Sequence, residues 1–477
     1  MCGIVGFYGK PNIVGELLIG MNALQHRGQD AAGIITFEKT FHIKKGLGLV
    51  GNVFEQKHFD RLKGEIGVGH VRYTTQGTNE LTNAQPIAAN YPFGIAMVHN
   101  GNVTNFEEMR DILYNDYHTL PATTNDLELI LYTFASELKK KDLVNVSVAD
   151  IFDAVRITQS KVHGAYAVIA AIANHGLLAF CDPHGIRPLV LGKRETEYGT
   201  VYGFASESVC FDHQGYETIR DLQPGEIVYI DANKEVHSSI GTKKGKNFCV
   251  FEYIYFARED STIQGKLVAG QRVKMGRMLG KQLQKMGLKP DMVIDVPTSG
   301  YFAASGLAEI LGIPYKRGLV KSNYIGRSFI SPNQGEREAI VKRKLNPIRK
   351  TIAGKKIAVV DDSIVRGTTS RRIVQILREA GATEIYFISA APPVKNPCIY
   401  GIDMSVTTEL IAAQKSLEDI RKYIEADALI YLPIEDLKEI FEEMPSCMAC
   451  LDGLYPTEGA TTALELIEKE RLDAGGR

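Results

Sequence analysis

Lys356-Ile357-Ala358-Val359-Val360-Asp361-Asp362-Ser363-Ile364-Val365-Arg366-Gly367-Thr368-Thr369-Ser370 reads as a buried strand running into a polar loop, and Arg371 to Ala380 reads as the helix that follows. The unbroken apolar run fits a strand covered on both faces. In the helix, Ile373, Val374, Leu377 and Ala380 share one face, and Gly381 is a C-terminal stop. A second strand follows at Glu384 to Ser389, and upstream the strand Met292 to Val296 leads into the helix Tyr301 to Leu311. Strands alternating with helices are the signature of a parallel sheet. Where the first strand ends, Asp361 and Asp362 offer carboxylates, and Gly367, Thr368 and Thr369 bring amides and hydroxyls to a helix N-terminus. Such a loop suits a ribose 5-phosphate: the carboxylates can take the 2- and 3-hydroxyls or reach Mg²⁺ through water, and the helix end can take the phosphate. An acidic turn followed by a Ser/Thr cap is the bland alternative.

Toward the N-terminus the pattern changes. From Cys2 to about Val236, short β-rich runs (Gly3 to Tyr8, Ile66 to Tyr73, Ile95 to His99, Ala165 to Ile172, Ile227 to Ile230) are separated by turn residues and interrupted by helices such as Asn125 to Lys140. This predicts an α/β domain with mainly antiparallel sheets. The polar stretch Asp231 to Asn247 reads as the boundary, giving domains over 2–235 and 236–456 and a C-terminal helix with a frayed end over 457–477. Two domains suit 477 residues. A net charge of −1 with mixed signs leaves no basic stripe for nucleic acid. No apolar stretch approaches the roughly 20 residues of a membrane span. The N-terminus carries no charged leader or hydrophobic signal core, so a cytoplasmic protein is expected. The seven cysteines are too few and too odd in number for a disulfide framework, which turns attention to catalysis and metals.

Cys2 would gain a free α-amine on removal of Met1, and that amine can accept the thiol proton while the thiolate attacks an amide carbonyl. A buried thiol opening the first strand is the alternative. Four ordered motifs accompany it: Met1-Cys2-Gly3-Ile4-Val5-Gly6, Gln25-His26-Arg27-Gly28-Gln29-Asp30-Ala31-Ala32-Gly33, Gly69-His70-Val71-Arg72-Tyr73 and His99-Asn100-Gly101-Asn102. Together they resemble the glutaminase domains of the N-terminal-nucleophile amidotransferases. That resemblance implies a four-layer αββα fold, Cys2 as nucleophile, Asn100 and Gly101 as oxyanion donors, and Arg27, Arg72 and Asp126 around the bound glutamine. A planar guanidinium suits a carboxylate, and an amide donor aimed at a developing oxyanion typically contributes a few kcal/mol. His26, His70 and His99 are expected to be structural.

The segment Asp361 to Ser370 resembles the phosphoribosyl pyrophosphate (PRPP) motif of type I phosphoribosyltransferases, in the form found in glutamine PRPP amidotransferases. The resemblance implies PRPP contacts from Asp361, Asp362, Ser363, Arg366, Gly367, Thr368 and Thr369. Pro297-Thr298-Ser299-Gly300 looks like the family's pyrophosphate loop, with Thr298 where Asp is usual, and Ser299 joins Asp361 and Asp362 as an expected Mg²⁺ site. Lys321 to Arg337 resembles a loop that closes over PRPP and completes an ammonia path; Lys321, Tyr324 and Arg327 keep the basic and aromatic pattern, whereas Asn323 stands where the family has Arg.

Cys447-Met448-Ala449-Cys450 is a CxxC pair, and with Cys249 and Cys398 it supplies four thiolates, a set suited to an iron–sulfur cubane or a zinc site. The surrounding segments resemble the cluster-bearing subgroup of the same family, which implies a structural [4Fe–4S] cluster. Cys181 and Cys210 read as buried thiols. Gly46-Leu47-Gly48-Leu49-Val50-Gly51 satisfies GxGxxG, but Asn52-Val53-Phe54 reads as extended where a dinucleotide site needs a helix. The family as a whole implies conversion of PRPP, glutamine and water to 5-phosphoribosylamine, glutamate and pyrophosphate in purine biosynthesis, feedback inhibition by purine nucleotides, and a homotetramer. A non-catalytic PRPP sensor, or an amidotransferase with another acceptor, are the rival classes.

Overall fold

A computed structural model describes residues 1–74, 80–322, 345–404 and 406–473, with side chains to 469. The expected Tyr324 and Arg327 contacts therefore lie outside the described residues.

The first domain is built on strands β1 (Gly3–Tyr8), β2 (Ala31–Phe37), β3 (Phe41–Leu47), β4 (Ile66–Arg72), β5 (Ile87–Ala89), β6 (Ile95–Val103), β7 (Gly164–Ile172), β8 (Gly176–Cys181), β9 (Val190–Thr196), β10 (Gly199–Ala205), β11 (Glu217–Asp221), β12 (Glu226–Asp231) and β13 (Val236–Ile240). They form two antiparallel sheets of order β11-β9-β10-β1-β4-β2-β3 and β13-β12-β8-β7-β6-β5. Every residue of β1 is buried, and the two-residue period divides them. Ile4 and Tyr8 pack between the sheets, whereas Val5 and Phe7 face the helix Val14–Ala23. β7 splits likewise: Ala167, Ile169 and Ala171 face the first sheet, and Tyr166, Val168 and Ala170 face the helices Phe106–Tyr117, Leu127–Lys139 and Val148–Lys161. Helix, sheet, sheet and helix are stacked in four layers. β13 pairs with β12 along its whole length, so the boundary placed at residue 235 is corrected to the polar stretch after Ile240. A single helical turn, Val50–Val53, stands where Asn52 to Phe54 was read as extended.

In the second domain four parallel strands lie in the order Met292–Asp295, Lys356–Asp361, Glu384–Ser389 and Ala428–Tyr431. Alternate residues again serve opposite faces: Ala358 and Val360 pack with the helices Val268–Lys285 and Tyr301–Leu311, while Ile357 and Val359 pack with the helix Thr368–Glu379. That last helix begins at Thr368, three residues before the expected Arg371, which brings its N-terminus up to the Asp361–Gly367 loop. The C-terminal helix Ala460–Asp473 is docked, with Ala460, Ala463 and Ile467 in the core of the second domain. The described residues contain no helix long and apolar enough to cross a membrane.

Candidate active site

Cys2 lies at the mouth of the first domain, one residue before β1, and three groups hold it. Its N–H donates to Asn100 Oδ1 (3.0 Å), its carbonyl accepts from Arg27 Nε (2.9 Å), and Sγ lies 3.6 Å from the Tyr73 carbonyl. Asn100 and Gly101 sit within β6, which continues past the expected end at His99. With Oδ1 engaged, Asn100 Nδ2 is buried without a hydrogen-bond partner, a costly state for a donor that nothing accepts from. Gly101 has φ +154°, and a Cβ there would stand 1.9 Å from the Ala165 carbonyl oxygen, so only glycine fits. The Asn100 side chain thus lies against the Cys2 backbone with its N–H donor unused, and an unused donor is what an oxyanion needs.

Arg72 ends β4 and is buried. Asp126 precedes the helix Leu127–Lys139, and its Oδ2 accepts from Val103 N (3.0 Å) and faces His99 Nε2 (3.3 Å). Burial alone would raise this carboxyl, but the His99 ring and the backbone N–H hold it below the usual range. His70 is buried with both ring nitrogens unpartnered, and burial pushes its pKa far down, so it stays neutral. That suits a structural histidine.

Arg27 has partners within the protein. Its guanidinium is fully buried: besides the Cys2 carbonyl it holds Glu207 Oε1 (2.6 Å), Glu252 Oε2 (3.0 Å) and Glu252 Oε1 (2.7 Å). Four of its five N–H groups are taken up by these contacts, leaving one on Nη2 for the expected glutamine contact. No local signal could reveal this, because Glu252 lies 225 positions away in the other domain.

In the second domain Asp361 and Asp362 end their strand side by side, both buried. Ser299 Oγ donates to Asp362 Oδ2, Ser363 Oγ to Asp362 Oδ1 (2.7 Å), and Asp362 N to Asp361 Oδ1 (3.0 Å). Burial and the neighbouring Asp362 carboxylate push Asp361 well above the ordinary range, and burial raises Asp362 despite its two hydroxyl donors. Asp295, at the end of the adjacent strand, adds to the crowding and is fixed by Tyr315 OH (2.8 Å). Buried carboxylates that repel one another are suited to a cation. Sequence reasoning missed Asp295, although its place at the C-terminal end of a parallel strand was a usable signal.

Gly367 has φ +76° and precedes the helix N-terminus, where the Thr368 and Thr369 side chains are exposed. Arg366 is paired with Glu409 (2.5 Å) at the rim. Lys321 ends the strand Leu319–Lys321 and is exposed.

The four cysteines expected to act together do converge. Phe248–Cys249 pairs in parallel with Ser446–Cys447, which sets Cys249 beside Cys447, and Cys450 follows in the next turn. All four, with Arg187, Tyr400 and Tyr455, line one small apolar cavity of about 10 Å³. Burial pushes the Cys249 thiol up to about 11 and raises Cys450 well above the ordinary thiol range.

These two centres match separate family models: the glutamine amidotransferase domain over residues 70–213 and the phosphoribosyl transferase domain over residues 270–404. Across nearly the whole chain, the sequence is 43% identical to the amidophosphoribosyltransferase of Pasteurella multocida (99% of this chain, 96% of that one) and 45% identical to that of Escherichia coli (96% and 93%). The chain belongs to the amidophosphoribosyltransferase family. The glutamine PRPP amidotransferase of Bacillus subtilis, solved with ADP and GMP, superposes with a TM-score of 0.85 at 37% identity, covering 96% of this chain and 98% of that one. A second solved structure, described as the allosteric regulatory enzyme of purine biosynthesis, gives 0.87 at 36% identity, with 98% and 99% covered. Like other amidophosphoribosyltransferases, the enzyme converts PRPP, glutamine and water to 5-phosphoribosylamine, glutamate and pyrophosphate, the committed step of purine biosynthesis.

Proposed function

We propose that the glutaminase half-reaction is carried by Cys2, with Asn100 and Gly101 as the oxyanion donors and Arg72 and Asp126 as the clamp on glutamine. The observation that supports this most is the buried, unpartnered Asn100 Nδ2 on the side chain whose Oδ1 holds the Cys2 N–H. Once Met1 is removed, the Cys2 amine takes the thiol proton as Sγ attacks the amide carbon. The tetrahedral oxyanion rests on Asn100 and Gly101, ammonia leaves with the amine's proton, and water cleaves the thioester to glutamate. In the second domain, Asp361 and Asp362 hold the ribose hydroxyls, and Ser363, Gly367, Thr368 and Thr369 take the 5-phosphate. Arg366 and Lys321 stand at the rim of that site, and Tyr324 belongs to the same reading. Ammonia then attacks C1 as the C1–O bond breaks, and pyrophosphate leaves with the bonding electrons and with inversion.

Ser299, Asp361 and Asp362 are the residues that would hold Mg²⁺, and their crowded, raised carboxyls fit a cation. Bound there, Mg²⁺ would neutralise the departing pyrophosphate. Cys249, Cys398, Cys447 and Cys450 fit a [4Fe–4S] cluster better than one zinc ion. Four sulfurs at about 2.3 Å from a single ion would stand about 3.8 Å apart, whereas among the described residues no three cysteine sulfurs come within 4.8 Å of one another. The cluster would supply structural cross-linking. Feedback by purine nucleotides is part of the reading, supported by the ADP and GMP in the Bacillus subtilis relative; homotetrameric assembly and a cytoplasmic setting rest on family resemblance.

The test is glutamate release by anaerobically purified protein with Mg²⁺, with and without PRPP, alongside Cys2→Ala. Stimulation by PRPP and loss on substitution are expected. Release that persists in Cys2→Ala would remove the nucleophile assignment.

A further inference from the structure

The nucleophile of the first domain is held by a side chain of the second. Arg27 is the intermediary: Nε–H donates to the Cys2 carbonyl at 2.9 Å, while Nη1 and Nη2 grip the two oxygens of Glu252 at 3.0 and 2.7 Å. Both side chains are wholly excluded from solvent. Glu207, from the first domain, takes the remaining side of Nη1 at 2.6 Å, and it also faces His26 (2.8 Å), accepts from Arg258 N (2.9 Å) and accepts from Ser261 Oγ (2.6 Å). Arg187 Nη1 lies 3.8 Å from Glu252 Oε1, so two arginines and two glutamates balance in charge inside the domain boundary.

From this geometry we infer that Glu252 is a positioning residue for the glutaminase reaction, acting on Cys2 through Arg27. The inference rests on Cys2 being the nucleophile. A fork held on both arms has its third donor direction fixed, because the guanidinium is planar and rigid. The Cys2 peptide is thereby pinned at its carbonyl, while Asn100 pins the same residue at its N–H. Without Glu252, Glu207 alone can hold Arg27 by one arm, and the guanidinium is free to turn about that contact. Glu252 is three positions beyond Cys249, on the short helical segment Glu252–Phe256 that leaves the thiol cavity. A second segment leaving that cavity, Cys398 to Asp403, touches the oxyanion side: Asn102 Nδ2 donates to the Ile399 carbonyl (2.8 Å), and a Cβ on Gly401 would stand 2.7 Å from the Gly101 carbonyl oxygen. The first domain is thus framed at both ends of its catalytic centre by the second, and its activity depends on their being docked.

The test uses the full-length holoenzyme with Glu252→Gln and Glu252→Asp, and three readouts. These are the kcat and KM for glutamate release, the rate at which iodoacetamide labels Cys2 on the N-terminal peptide, and PRPP turnover driven by ammonia in place of glutamine. Glu252→Gln is expected to lower the glutamine-dependent kcat by about 10- to 100-fold. It should slow Cys2 labelling, leave the glutamine KM within about threefold, and leave ammonia-driven turnover within about twofold. Glu252→Asp, which keeps the charge on a shorter stem, should fall between. An unchanged kcat, or a parallel loss of glutamine- and ammonia-driven turnover, overturns the inference. Should Glu252→Gln fail to fold, unchanged labelling of Cys2 in Glu252→Asp overturns it as well. Cys2→Ala run in parallel separates the two readings: glutamate release that survives it removes the nucleophile itself, whatever Glu252 does.

Discussion

At Asn100 one amide works in two directions. Its oxygen accepts from the Cys2 N–H at 3.0 Å, and its nitrogen is left buried and unpartnered. Asn100→Asp keeps the acceptor and the shape but replaces the donor with negative charge. Glutamate release should fall by about 10²- to 10³-fold in kcat, the usual loss for one oxyanion donor, while ammonia-driven PRPP turnover, measured as pyrophosphate release, should remain. Residues of this kind were legible from sequence because they lie in short motifs whose spacing local backbone geometry fixes. Cys2 and Asn100, from two of those motifs, are joined by a hydrogen bond. Arg27 sits in an equally clear motif, yet its direction was invisible: a long side chain can serve either side of its backbone, and the Glu252 that claims it belongs to another domain. Asp295 was legible and overlooked, since nothing in Met292 to Val296 distinguishes it except its place at a strand end.

Among the elements, parity decided what could be read. β1 and β7 are apolar on both faces because each lies inside a four-layer stack, and such runs stand out in a sequence. β13 does not: Val-His-Ser-Ser-Ile is an edge strand, alternately exposed, whose backbone pairing with β12 has no compositional mark. The segment ending at Gly300 meets the strand Lys356–Asp361 where a Cβ on Gly300 would stand 2.3 Å from the Val360 carbonyl oxygen. Gly300→Ala must push the two apart, and the KM for PRPP is expected to rise at least about tenfold, while glutamate release without PRPP is unchanged. The turn after β8 gives a pH prediction. Asp182 is buried and accepts from His184 N (2.9 Å), Tyr166 N (3.2 Å) and Ile186 N (3.1 Å), yet burial still raises its pKa to about 6. A carboxyl raised in the folded state contributes stability that is fully present below its unfolded pKa and is lost as pH rises through about 6. That stability amounts to roughly 3 kcal/mol. Asp182→Asn should flatten this dependence, so that the wild-type unfolding temperature falls relative to the variant's between roughly pH 4 and pH 6.

On the scale of the whole molecule, the thiol cavity lies where both domains converge. Arg187 of the first domain lines it, and its guanidinium also donates to the Tyr400 carbonyl at 2.8 Å. Burial alone would lower the pKa of Arg187, but the Cys249 and Cys398 sulfurs and Glu252 raise it, so the positive charge is retained next to the place where thiolates would gather. Cys447→Ser should yield anaerobic protein without bound iron and sulfide and without the visible absorption of a cluster. Its unfolding temperature should be lower by roughly 5–10 °C. The CxxC pair was visible in the sequence, but its grouping with Cys249 and Cys398 rested on resemblance, because no spacing rule joins segments 198 residues apart.

Met1 also lies under the second domain. It is 1% exposed, packs into the same apolar cluster as Phe248 and Tyr400, and its sulfur is 2.6 Å from Arg187 Nη1. Whichever protease frees the Cys2 amine must hold the Met1–Cys2 bond in an extended, accessible N-terminus, and the docked enzyme offers none. On the proposed mechanism maturation would have an order: the cut would come while the chain is still being made, before the C-terminal half has closed over its beginning. An aminopeptidase added to folded, untrimmed protein should leave Met1 in place, and a chain that misses its moment should release no glutamate however well it folds.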